Sequence, residues 1–281
     1  MITIITSCYK SNKDFFKQTI KSILNQTYQD FEYLIKDDGI EFNVEEFLSE
    51  FNDKRIKLIK APHMGNVNST NLLIEKAKGD YITIQDHDDI SLPNRLELSL
   101  QEFLKDNTLV SVSGRIHIFG DTKERDDGKE MLPNQITEEL LFFQPIKHPS
   151  VMINRKYFIE NNIKLNSNYT YANDFELWSR IRNAKHKIVN NILVKYRKHS
   201  TNLTSNKQKL RNEHALIVQR NLKQIDISAP IELCKMLDPY DHNKYNYYFL
   251  ELFKQNKNKL LKHISNDLYN RKFEEISKKT V

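Results

Sequence analysis

Apolar residues open the chain in a β-branched run, Ile2-Thr3-Ile4-Ile5-Thr6, which predicts a strand. Asn12 then stands as a cap before Phe16, Ile20, Ile23 and Leu24, whose spacing predicts a helix. Phe31–Ile35 reads as a second strand, ending at Asp37-Asp38-Gly39. Val44, Phe47, Leu48 and Phe51 mark a short amphipathic helix, and Arg55–Lys60 a third strand. After a turn from Pro62 to Gly65, a helix is expected from about Asn68 to Lys78, with Gly79 as its C-terminal stop. Tyr81–Ile84 is a fourth strand that ends at Asp86-His87-Asp88-Asp89. Pro93 then opens a helix bearing Leu96, Leu100, Phe103 and Leu104.

Strand–helix alternation of this kind predicts an α/β fold with a mostly parallel sheet flanked by helices. Ligands of such sheets bind beyond the carboxyl ends of the strands. Three strands end there in distinctive residues: Ser7-Cys8-Tyr9, Asp37-Asp38 and Asp86-His87-Asp88-Asp89. Acidic groups gathered on one rim repel one another unless a cation or a hydrogen-bonding ligand offsets them, so a metal-assisted site for a polar ligand is expected.

The pattern is less regular from about 106 to 205. Val110–Phe119 reads as a strand, 120–134 as a polar loop and Thr137–Phe143 as a short helix. The run from His148 to Ile153 reads as a strand, Asp174–Ala184 as a helix with Leu177, Trp178 and Ile181 on one face, and Lys187–Tyr196 as a strand. Beyond Ser205 the pattern is helical, with an apolar stripe of Tyr245, Tyr248, Phe249, Leu252 and Phe253 continued by Leu260, Leu261, Ile264 and Leu268.

Charge narrows the choices. Residues 1–205 carry 28 Lys and Arg against 28 Asp and Glu, whereas 206–281 carry 15 against 9, so the net +6 sits in the last quarter. The body is not a basic nucleic-acid binder, and no nucleic acid partner is expected. The basic C-terminal helices are open to packing on the body, a homodimer, or peripheral contact with an anionic membrane. Cys8 and Cys234 make no disulfide framework, and no Cys/His spacing resembles a zinc site. With no signal-like segment or long apolar run, a cytoplasmic protein is expected, at most peripheral at the inner face of the cell membrane. The six glycines form neither a dinucleotide fingerprint nor a P-loop.

Asp86-His87-Asp88 is the sharpest chemical signal. Two carboxylates at this spacing can share one hard divalent cation, Mg²⁺ or Mn²⁺, with diphosphate oxygens completing its shell. Alone, such a pair is common by chance and reads first as a solvated acidic turn; its place after the fourth strand, with Asp37-Asp38 after the second, favours the metal site. Asp37 and Asp38 likewise suit a strand-ending turn, and Asp174 the first turn of a helix.

The order of motifs resembles the family 2 glycosyltransferases, which have the GT-A fold. The matching segments are Ser22-Ile23-Leu24-Asn25-Gln26-Thr27-Tyr28, Asp37-Asp38-Gly39, Ala77-Lys78-Gly79-Asp80-Tyr81-Ile82 and Asp86-His87-Asp88-Asp89. Pro93-Asn94-Arg95-Leu96, Asn173-Asp174-Phe175-Glu176 and Tyr196-Arg197-Lys198-His199 follow in the same order. The resemblance implies a GT-A catalytic domain over 1–205, with a nucleotide-sugar-binding half (1–105) and an acceptor half (106–205), followed by a helical extension over 206–281. It implies an inverting, metal-dependent hexosyl- or N-acetylhexosaminyl-transferase, acting from a nucleoside diphosphate sugar, UDP-linked, onto a glycan or lipid-linked glycan of a bacterial surface polysaccharide.

By the same resemblance, Ser7, Cys8, Tyr9, Asp37 and Asp38 would hold the nucleoside. Asp86 would face the ribose or the metal, Asp88 would bind the metal, and His199 would touch the metal or diphosphate. Asp174 would be the catalytic base. Lys10 stands where the family has asparagine, Ile40 follows Asp-Asp-Gly in place of serine, and Thr70 occupies an arginine position. Lys10 or Arg197 would then supply the missing cation. A sugar nucleotidyltransferase and a non-catalytic glycan-assembly subunit are the alternatives.

Overall fold

The computed structural model describes residues 1–237, 243–244 and 247–280. Contacts divide the chain into two compact units. The first comprises 1–132, 146–167 and 184–200; the second comprises 133–145, 168–183 and 201–281.

The first unit holds a nine-stranded sheet among the described residues. Its opening half is β1 (Ile2–Cys8), β2 (Phe31–Asp37), β3 (Ile56–Ile59) and β4 (Tyr81–Ile84), parallel and in the order β3-β2-β1-β4. The connecting helices are α1 (Lys13–Leu24), α2 (Val44–Ser49) and α3 (Asn66–Lys76). Alternation sorts β1 between two faces. Ile2 and Ile4 join Phe31, Tyr33 and Ile35 in a core cluster with Phe16, Ile20 and Phe47 from α1 and α2. Thr3 points the other way, donating to Glu32 Oε1 at 2.8 Å and accepting from Gly79 N at 2.8 Å. The Asn12 carboxamide caps α1, accepting from the Asp14 and Phe15 amides.

The second half of the sheet is mixed. After β5 (Ile90–Ser91) and α4 (Arg95–Lys105) come β6 (Ser111–Gly120), β7 (Arg125–Asp127), β8 (Met152–Asn154) and β9 (His186–Lys198). β8 joins β4 to β6 by antiparallel pairing, β9 runs parallel to β6, and β5 pairs antiparallel with β9.

Several expectations need correction. The polar loop at 120–134 contains β7, an edge strand of charged residues paired with β6. The run from His148 begins as a 3-10 turn, because Pro149 has no N–H for a ladder, and only Met152–Asn154 is strand. The helix α3 ends at the cap residue Ala77, and Gly79 serves close approach instead. A Cβ there would lie 2.5 Å from Thr3 N. Leu104 of α4 is exposed.

The second unit is helical: α5 (Pro133–Glu139), α7 (Asn173–Arg180), α8 (Lys207–Lys223), α9 (Ile231–Met236), α10 (Tyr247–Gln255), α11 (Lys257–Leu260) and α12 (Asn266–Lys278). The intervening α6 (Arg155–Glu160) belongs to the first unit. The unit gathers two segments from the expected 1–205 body together with the tail. Asn221 Nδ2 donates to the carbonyls of Leu140 and Leu141, and Arg271 Nη1 donates to Glu139 Oε1 at 3.0 Å. Much of the apolar tail stripe packs internally: Phe253, Leu260, Ile264 and Leu268 are buried, while Tyr248 is exposed. Tyr245 lies outside the described residues, as does the Phe249 side chain. Among the described residues, no helix is long and apolar enough to cross a membrane.

Candidate active site

The acidic rim forms where the strand order turns. β1 ends level with β2, Cys8 opposite Asp37, and has β4 on its other flank with Ile84 opposite Ile5. Chain connections diverge on either side of β1, the position at which open α/β sheets bind ligands.

The β1 end contributes less side-chain chemistry than expected. Ser7 is half-buried and Tyr9 is 48% exposed, its ring 5.4 Å from that of His63. The Cys8 thiol faces the core, where burial and the Asp37 charge push its pKa far up. What Cys8 offers is its carbonyl, which accepts from Asp38 N at 2.7 Å. Lys10 adopts a left-handed φ of 44°, which asparagine takes more readily, and its ammonium lies 5.5 Å from the Tyr9 ring.

Asp37 and Asp38 play different parts. Asp37 Oδ1 accepts from the amides of Gly39 and Ile40, both at 2.9 Å, so the carboxylate closes the turn without the usual serine. Gly39 has φ +124°, and a Cβ there would meet the Tyr9 ring at 3.0 Å. A cavity of about 320 Å³ opens beside Asp37, lined by Phe42, Val44, Leu58 and Lys60 among others. Asp38, also expected at the nucleoside, is 1% exposed and engaged by buried partners. Its Oδ1 takes the buried Lys36 ammonium at 2.6 Å and Met64 N at 2.9 Å. Burial opposes its ionisation, yet Lys36 and the Met64 amide outweigh that and hold the carboxyl below its usual range.

The third strand end is the most elaborate. β5 follows Asp89 directly and pairs antiparallel with β9, Ile90 opposite Lys195, which brings Asp88 and Asp89 beside Arg197 and His199. His199 Nε2 stands 2.8 Å from Asp88 Oδ2. Burial, and next the charge of Asp88, raise the Asp86 pKa. Asp89 is fully buried, accepting from the Arg197 amide at 2.8 Å, and its pKa is likewise raised by burial and by its two acidic neighbours.

Arg197, expected at the nucleotide, is engaged within the chain. Its Nε donates to the Asp88 carbonyl and its Nη2 to Gln18 Oε1, both at 2.8 Å. The guanidinium lies between the rings of Phe15 and Phe119, 4.1 and 4.5 Å from their centroids. In these contacts it braces the acidic loop. Fully buried Arg95 donates to Gln85 Oε1, Ser91 Oγ and the Ile84 carbonyl; burial pushes its pKa down to about 10.

Among the described residues, no three His, Cys, Asp or Glu side chains form a metal-holding group. Asp88 offers the kind of oxygen a hard divalent ion takes, since Mg²⁺ is commonly bound through one or two carboxylates with substrate phosphates and water completing its shell, and His199 adds an imidazole nitrogen beside it.

In the second unit, Asp174 lies in the first turn of α7. Its Oδ2 accepts from Gln144 Nε2 at 2.6 Å and its Oδ1 from the Phe175 amide at 2.8 Å. Trp178 is buried, a core residue. Lys36, Gln85 and Gln144 also hold site side chains in place and stand in no quoted motif. Asp89 and Arg95 belong to quoted motifs that gave them no role, Lys36 and Gln85 adjoin such motifs, and Gln144 carries no pattern signal.

This parallel half-sheet, with its acidic strand ends and Asp-x-Asp beside a histidine, defines an α/β transferase of the GT-A type. The chain belongs to glycosyl transferase family 2, whose model matches residues 3–174. It is a glycosyltransferase. An uncharacterized glycosyltransferase of Haemophilus influenzae is 28% identical over 268 residues, covering 88% of this chain and 82% of that protein. The Escherichia coli UDP-Glc:alpha-D-GlcNAc-diphosphoundecaprenol beta-1,3-glucosyltransferase WfgD is 28% identical over 214 residues, 74% of this chain and 81% of its own. The S. aureus TarS 1-349 structure in complex with UDP-GlcNAc shares the fold, with a TM-score of 0.60 and 11% identity. That match covers 98% of this chain and 79% of TarS 1-349; this chain spans 42% of the longer TarS chain.

Proposed function

We propose that the enzyme transfers a sugar from a UDP-linked donor to a hydroxyl of a glycan, lipid-linked in the cell, with inversion at the anomeric carbon, during bacterial surface polysaccharide synthesis. The Asp88–His199 pair at the switch-point edge carries this reading, supported by family membership and by the names of the relatives. Ser7, Tyr9 and Asp37 form the proposed nucleoside rim, with Lys10 the cation near it. Asp88 and His199 would hold a divalent ion, with Asp86 facing the ribose or that ion. When bound, the ion supplies charge compensation to the departing diphosphate. Arg197 and Asp89 keep the Asp88 loop in place. Asp174, oriented by Gln144, is the proposed base that takes the acceptor hydroxyl proton.

The test is UDP release from a panel of UDP-sugars offered with a synthetic GlcNAc-diphospho-lipid. Sugar-dependent UDP release with a glycosylated lipid product is expected. Pyrophosphate release from a nucleoside triphosphate instead would favour a nucleotidyltransferase. No turnover of any donor would overturn the reading.

A further inference from the structure

We propose that Glu213, on α8, is a positioning residue for Asp174. The inference rests on the reading of Asp174 as the base, and α8 lies wholly beyond the 3–174 stretch that the family model matches. Three successive amides converge on the one carboxylate: Thr170 N donates to Oε1 at 3.0 Å, and Tyr171 N and Ala172 N donate to Oε2 at 2.8 and 2.7 Å. Hydrogen bonds to an ionised acceptor are about twice as strong as neutral ones. They act where α7 has no cap of its own, because Ala172 stands at its N-cap and offers no side-chain acceptor.

The same helix grips α7 on the far side of Asp174. Arg220 lies seven residues after Glu213, two helical turns along the same face. Its Nη1 donates to Glu176 Oε1 and its Nη2 to Ser179 Oγ, both at 2.6 Å. The His214 ring lies 4.9 Å from that of Phe175. Glu213 makes no hydrogen bond to the Asp174 carboxylate. It fixes the backbone just before Asp174, as Arg220 fixes the turn just after, so the carboxylate swings from a braced main chain.

A displacement of about 1 Å can cost roughly a hundredfold in rate. A positioning role therefore predicts loss of turnover out of proportion to any loss of donor binding. The experiment compares Glu213→Ala, Glu213→Gln and Asp174→Asn by amide hydrogen exchange on the protein alone. It also compares steady-state UDP release with UDP-glucose and a synthetic GlcNAc-diphospho-lipid.

Glu213→Ala should speed exchange at the 170–172 amides by about tenfold or more. It should lower kcat by roughly 10- to 100-fold with donor KM within about twofold. Glu213→Gln, which keeps an accepting oxygen, should recover part of both, and it replaces Glu213→Ala if that variant does not fold. Unchanged exchange at 170–172, or faster exchange with wild-type kcat, overturns the proposal. Wild-type kcat in Asp174→Asn overturns the base reading instead.

Discussion

Replacing Arg197 with alanine separates two roles for this residue. Its side chain spends Nε on the Asp88 carbonyl and Nη2 on Gln18, and its charge lies over two phenylalanine rings. Hydrogen bonds from charged groups contribute about 1.5–3 kcal/mol each and buried cation–π contacts about 0.5–2. The four contacts share one group and do not add, so a loss of about 4 kcal/mol is expected. At roughly 2–4 °C per kcal/mol, that lowers the melting temperature by about 10 °C. Arg197→Lys keeps the charge without the fork and should recover less than half of the loss. The assay is thermal unfolding of ligand-free protein, followed by UDP titration. An Arg197→Ala protein that melts with the wild type yet fails to bind UDP would refute the brace and return Arg197 to direct diphosphate contact.

Three further outcomes follow from the packing. Lys36→Met leaves the buried Asp38 carboxylate without its cation and should cost about 3–5 kcal/mol in urea unfolding at pH 7. Because the folded Asp38 carboxyl titrates below its unfolded value, its contribution is complete above about pH 4 and is lost as the pH falls through the lower folded value. Lys36→Met should therefore shrink the acid-side loss of stability, and an unchanged acid limb would contradict the pairing. Gly79→Ala forces a Cβ to within 2.5 Å of Thr3 N and 2.8 Å of the Ile2 carbonyl carbon, so about 2–3 kcal/mol of destabilisation is expected by denaturant midpoint.

The opening half of the sheet was legible because local pattern and global packing agree there. Ile2 and Ile4 alternate as a strand must, and Asn12 caps the helix whose Phe16 and Ile20 complete the same core. Burial of charge was not legible. Asp37 and Asp38 are adjacent aspartates in sequence, but strand alternation turns one toward the turn amides and the other toward a buried lysine. Arg197 and His199 carried a motif, yet their partners depend on the β5–β9 register, which joins positions more than a hundred residues apart. β7 was hidden because an edge strand of Arg125-Asp126-Asp127 has no apolar alternation to detect. Glu213 gave no signal at all, since a side chain that binds backbone amides leaves no trace in its partners' identities.

The most direct test of the central claim is thermal unfolding of the purified protein with UDP and Mn²⁺ together and with each alone, in the wild type and in Asp88→Ala. Ligand at about a hundred times its dissociation constant stabilises by about 2.7 kcal/mol, a shift of several degrees. The account predicts a shift that needs both components and vanishes in Asp88→Ala while the ligand-free variant stays folded. No shift with UDP and Mn²⁺, or an equal shift in Asp88→Ala, would contradict a donor site at the Asp88–His199 edge.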